Sequence, residues 1–237
     1  VSMLFHELGV VAPLLIVLYA YFLGYLPPWR NLYKQLSYPL IFLTIPLYLL
    51  ARFTAGSHWF QGDYNYNILK FPLNAVGNSI GYALLSVFGP IVLPFYNLLR
   101  AQLRDNLAVS VVFLAVLLTD LYFGYKIFKH RVNSRDKKII IFGFLFFLIS
   151  LLPFIGFGNI TSRYSYLASV GIVLILVLGF EKIYNYLLET SGKSIALFGV
   201  VTIASMFYLF HVIQIQGLHS DWYEAGEKSR KFFISLD

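Results

Sequence analysis

The sequence predicts an all-α protein: a polytopic transmembrane helix bundle of six spans plus one broken or re-entrant membrane-face segment, with seven spans as the alternative. Three observations carry that prediction. Of 237 residues, 59% are hydrophobic and only 12% are charged, whereas a soluble domain carries about a quarter charged residues. Phe (23) and Tyr (18) are heavily used, as they are where rings sit at a membrane–water boundary. The apolar runs are each near the roughly 20 residues a spanning helix needs, and none alternates with the period of two that a strand shows. These features exclude a soluble enzyme, a disordered chain and a nucleic-acid binder.

Taken in order, the apolar segments lie at 3–24, 38–54, 80–99, 107–125, 139–157, 166–187 and 194–215. The links are a Pro-Pro-Trp-Arg turn (25–37), an aromatic polar loop (56–72), an Arg/Asp link (100–106), a basic loop (126–138), a polar turn (158–165) and a Thr-Ser-Gly-Lys turn (190–193). The net charge of +7 does not signal nucleic acid: six Lys and Arg fall between Lys126 and Lys138, the pattern of a cytoplasmic loop. Residues 1–217 read as the membrane domain and 218–237 as an amphipathic exit segment outside it. With no cysteine, disulfides and thiolate chemistry are absent.

The segment 80–99 decides the topology. Pro90 and Pro94 remove two backbone donors four residues apart, and Gly77, Gly81 and Gly89 add small residues around them. That pattern suits a broken or re-entrant segment better than a straight span. A break gives six spans and an external N-terminus, whereas a span gives seven and a cytoplasmic one. Charge counting does not separate the two, since either places ten basic residues inside and eight outside.

Ionisable residues in apolar segments are costly and therefore informative. Glu7, after His6, is either an acid beside a cavity or an interfacial residue favoured by the helix dipole. Asp120 lies deep in its segment and either faces a cavity or pairs with Lys126 or Arg52. His211 reads as a hydrogen-bonded packing residue, because the five histidines show no metal-ligand spacing. Arg52 closes YLLARFTAG and reads equally as a phosphate ligand or as a side chain snorkelling to the interface. Arg163, in NITSRYSYLASVG, reads as a phosphate ligand, with Tyr164, Ser165 and Tyr166 supplying further donors in the same turn.

Several segments together resemble one family. MLFHELGVVAPLLIVLYAY, YLLARFTAG, IGYALLSVFGPIVLPFYN, LLPFIGFGNITSRYSYLASVGIVLIL and HSDWYEAGEKSRKFF resemble, in order, segments of the GT-C membrane glycosyltransferases. The nearest group is the transmembrane-and-tetratricopeptide O-mannosyltransferase-like proteins. The resemblance implies transfer of a sugar from a polyprenyl-phosphate (dolichol-type) donor to a protein or glycan acceptor on the outer or luminal face. It implies Glu7 as a catalytic-site acid, and Arg163, Tyr164 and Arg52 as ligands of the donor phosphate. Departures from the pattern are His6 in place of Lys, Ala168 in place of Pro, and no tetratricopeptide repeat after Asp237. The family's acidic catalytic loop would lie upstream of Val1, so the chain is expected to be the carboxy-terminal membrane half of such an enzyme. No cofactor is identifiable, and a divalent metal would be held by residues outside this chain. The expected location is a prokaryotic plasma membrane or the endoplasmic reticulum, with 126–138 cytoplasmic. The competing expectation is a non-enzymatic module, a transporter or scaffold subunit, in which Glu7, Asp120 and His211 serve as relay or packing residues.

Overall fold

The structure, a computed structural model, describes residues 10–25, 37–54 and 71–234. All regular structure among them is helical: α1 (Ala12–Phe22), α2 (Ser37–Thr54), α3 (Phe71–Phe88), α4 (Val92–Asp105), α5 (Leu107–Arg131), α6 (Ser134–Leu151), α7 (Ser165–Ser191) and α8 (Lys193–Ile234), with a 3-10 turn at Ser162–Tyr164. Three helices are long and apolar enough to cross a membrane: α5 over Ala108–Lys126, α7 and α8. His6, Glu7 and most of the loop 56–72 lie outside the described residues.

Helix ends follow local chemistry. Asn106 caps α5, its side-chain oxygen accepting from the N–H groups of Ala108 (3.1 Å) and Val109 (3.3 Å). Asn133 caps α6 through the Asp136 N–H at 2.8 Å. The expected basic loop is therefore mostly helix, α5 running through to Arg131 and α6 starting at Ser134. Lys and Arg are good helix formers, and Asn133 restarts the helix almost at once. Between α7 and α8 the chain reverses at Gly192, whose φ of +84° suits glycine. α8 then continues unbroken through 217 and 218 to Ile234.

The bundle centres on α6 and α7, which run antiparallel. A Cβ on Gly143 would lie 2.6 Å from the Gly171 carbonyl oxygen, and one on Gly171 would lie 2.8 Å from the Phe147 nitrogen. The two backbones thus touch directly, the small-residue contact by which apolar helices associate without a hydrophobic drive between them. At one end the pair is locked by ions. Lys182 binds the buried Asp136, and Arg135 reaches Glu181 at 3.2 Å. α1 packs along α6 with its Phe22 ring 5.2 Å from Phe142. α8 packs back along α7.

The segment 80–99 is broken. α3 stops at Phe88, Gly89 turns with φ +71°, and α4 starts at Val92 and folds back against α3. Pro90 and Pro94 sit at and just inside the start of α4, where a missing N–H costs little. Gln214 of α8 seals this turn: its amide donates to the Phe88 carbonyl (2.9 Å) and its oxygen accepts the Ile91 N–H (3.1 Å). His211, one helical turn earlier, bonds the Val87 carbonyl at 3.1 Å, the packing role read from sequence.

Replacing Gly171 by Val should force α6 and α7 apart and lower stability by about 1–3 kcal/mol, the usual range for overpacking. Thermal unfolding of the detergent-solubilised chain, followed by helical circular dichroism, measures this.

Candidate functional site: a polar clamp at one end of the bundle

At the end of the bundle away from the Asp136–Lys182 pair, the chain leaves helical geometry. α6 ends at Leu151, and residues 152–157 form overlapping turns, with Phe154 and Ile155 both donating to the Leu151 carbonyl at 2.8 Å. These turns carry bulky apolar residues into the core. Phe154, Phe157, Ile160 and Tyr164 pack with Tyr82 and Leu85 of α3, Tyr96 of α4, Phe147 and Leu151 of α6, and Ala168 of α7.

Burying irregular backbone leaves carbonyl groups that need donors. Asn78 supplies them. Its side chain is fully buried, and its amide donates to the Ile155 (2.9 Å) and Phe157 (2.8 Å) carbonyls. Asn74, one turn earlier on the same face of α3, donates to the Gly156 carbonyl at 3.3 Å. Arg100 of α4 then closes the network, donating to Asn74 Oδ1 (2.6 Å) and Asn78 Oδ1 (3.3 Å). One guanidinium thereby joins α3, α4 and the 152–157 turns.

Tyr96 occupies the space between α3 and α4, and α3 has glycine where the ring lies. A Cβ at Gly81 would fall 2.8 Å from Tyr96 Cζ, and one at Gly77 would fall 3.1 Å from its hydroxyl. Below the clamp, the Phe154 and Tyr164 rings stack at 4.0 Å with an interplanar angle of 11°. Phe157 meets Phe154 and Tyr164 edge-on at 5.8 Å and 5.9 Å.

The sequence-derived candidates fall as follows. Arg163 sits in the 3-10 turn Ser162–Tyr164, next to Tyr164 of the aromatic stack; its side chain is outside the described set. Tyr164 is buried in that stack rather than standing on the surface. Tyr166 is fully exposed at the start of α7. Arg52 lies in the last turn of α2, with its side chain undescribed. Asp120 is exposed on α5 and has no ion pair with Lys126 or any other described residue. Glu7 is outside the described residues. Thr161, two residues before Arg163, has a buried hydroxyl with no partner among the described residues.

Sequence reasoning missed Asn74, Asn78 and Arg100. The available signal was two asparagines four residues apart in an apolar helix, followed across a proline-marked break by an arginine. Among the described residues no three His, Asp or Glu side chains come together, so the groups present do not form a divalent-metal site. Comparison with known proteins adds no relative: no family model, curated protein or solved structure matches this chain.

Asn78→Leu keeps a similar volume but leaves the Ile155 and Phe157 carbonyls without their donor. The expected cost is about 1–3 kcal/mol, with faster amide exchange concentrated in residues 152–164. Hydrogen-exchange mass spectrometry checks this, with the amides of α8 as the internal reference.

Proposed function

We propose that the chain is part of an integral-membrane glycosyltransferase that uses a polyprenyl-phosphate sugar donor at the face of the membrane opposite the basic segment 126–138. The membrane arrangement comes first. With Ser134 and Lys193 at the cytoplasmic face, Gln214 lies 21 residues further along α8, about 31 Å at 1.5 Å per residue. That matches the roughly 30 Å hydrocarbon thickness, so the α3–α4 turn held by Gln214 falls at the outer boundary. The hairpin then lies over the outer face and does not cross, which supports six spans and an external N-terminus. The direction of α1 agrees, since its Phe22 end packs toward the N-terminal half of α6.

The observation that carries the functional reading is the clamp of Arg100 on Asn74 and Asn78, because it fixes the 154–157 turns on which Tyr164, next to Arg163, stacks through Phe154. Sugar transfer breaks the bond between the anomeric carbon and the phosphate oxygen and forms one to the acceptor hydroxyl oxygen. The acceptor proton goes to a carboxylate base, and polyprenyl phosphate leaves with the bonding pair. Negative charge therefore grows on the phosphate, where fixed cations stabilise it most. Arg163 fills that role, with Arg52 as a second cation, while the stacked Tyr164 ring anchors the turn. The unpaired Thr161 hydroxyl offers a further donor beside Arg163. Arg100, half-buried and with no carboxylate partner among the described residues, adds positive potential from below. Glu7 is assigned to orienting the donor.

Native mass spectrometry of the purified chain with polyprenyl phosphate tests this. Specific binding that falls by about tenfold or more in Arg163→Ala is expected, since losing a charge-assisted contact costs roughly 1.5–3 kcal/mol. Equal binding by both proteins would make Arg163 an interfacial anchor and favour the transporter or scaffold reading.

A further inference from the structure

We propose a second lipid site at the opposite end of the bundle: a groove that holds one anionic phospholipid of the cytoplasmic leaflet. The inference rests on the membrane arrangement above, not on the sugar-transfer chemistry. A cavity of about 750 Å³ opens between the end of α1, the start of α6 and the end of α7. That volume is within the range of ligand pockets, roughly 300–1,000 Å³. Its walls are apolar, with Phe22 and Phe142 on one side and Val177 and Leu178 on the other. Its rim carries Ser134, Arg135, Lys138 and Glu181.

The charge on that rim identifies the occupant. Asp136, the other acid nearby, is buried and already neutralised by Lys182. Glu181 binds one face of the Arg135 guanidinium, through Nη1 at 3.2 Å and Nη2 at 3.5 Å. Lys138 is exposed and has no ion pair among the described residues. The rim therefore keeps one uncompensated positive charge. An apolar trough beneath a cationic rim, at the end of a bundle where the basic segment lies, matches one acyl chain below a phosphate. Basic pockets between helices on the cytoplasmic side take anionic headgroups by this arrangement. Arg135 and Lys138 hold the phosphate, Ser134 donates to it, and the acyl chain lies between Phe142 and Leu178.

The test is native mass spectrometry of the full chain released from detergent with phosphatidylglycerol or phosphatidylcholine of identical acyl chains. The wild-type chain should retain phosphatidylglycerol preferentially. Arg135→Ala with Lys138→Ala should reduce that retention by about tenfold or more and leave phosphatidylcholine unchanged. Val177→Trp keeps every charge and fills the trough, so it should reduce retention of both lipids. Glu181→Gln frees the Arg135 fork and should keep or raise phosphatidylglycerol retention, which also guards against misfolding of the double variant. Equal retention of the two lipids by the wild-type chain would overturn the proposal. So would displacement of the lipid by excess inorganic phosphate, or undiminished retention by both the double variant and Val177→Trp. Polyprenyl-phosphate binding that responds to Arg163→Ala but not to these changes would leave the outer site standing if this one fails.

Discussion

Three successive carbonyl groups, from Ile155 to Phe157, lie in irregular backbone at the aromatic core without a helix or sheet to satisfy them, and the amides of Asn74 and Asn78 reach all three. In a low-dielectric interior an unpaired carbonyl is expensive, and a satisfied one is correspondingly rigid. Much else follows from this exchange. It places α3 across the end of α6, and it recruits Arg100 so that α4 must fold back on α3. Gly77 and Gly81 then have to be small to admit Tyr96. Gln214 completes the arrangement from α8 by occupying the donor and acceptor that the α3–α4 break leaves open.

The two ends of the α6–α7 pair are built differently. One end is tied by ions, with a buried Asp136 whose neutralisation by Lys182 is needed for it to be buried at all. The other is tied by backbone carbonyls, asparagine amides and stacked rings. Between them the contact is nearly all apolar and depends on two glycines. One end is thus ionic with a basic surround, and the other is hydrogen-bonded around a single guanidinium, that of Arg100. The proposed inner lipid groove and outer donor site sit at these two ends.

Much of the fold was legible because apolar length and proline placement are local signals. The break at 88–91 follows from Pro90, Pro94 and Gly89, and the turn at Gly192 from glycine between two apolar runs. The basic segment misled, since charge reads as loop in an apolar chain while Lys and Arg sit comfortably in helix. Asp120 reads from sequence as facing a cavity or pairing with Lys126 or Arg52; α5 packs mainly along α4 and leaves that carboxylate exposed, with no ion pair to Lys126. Tyr164 follows Arg163 in the sequence, and its stack on Phe154 joins two rings across irregular backbone, which spacing alone does not reveal. The clamp was illegible for the same reason: Asn74 and Asn78 have meaning only beside carbonyls some eighty residues later in the chain.

The central claim is that α3 and α4 form a closed hairpin whose two free ends lie on the same side. Spin labels on cysteines replacing Pro72 and Gln102, the only cysteines in such a chain, measure it by pulsed dipolar spectroscopy in nanodiscs. Packed helices lie about 8–10 Å apart, so with label linkers the account predicts a separation below about 25 Å. A continuous helix over the same thirty residues would separate them by about 45 Å, and a distribution centred there would contradict the account.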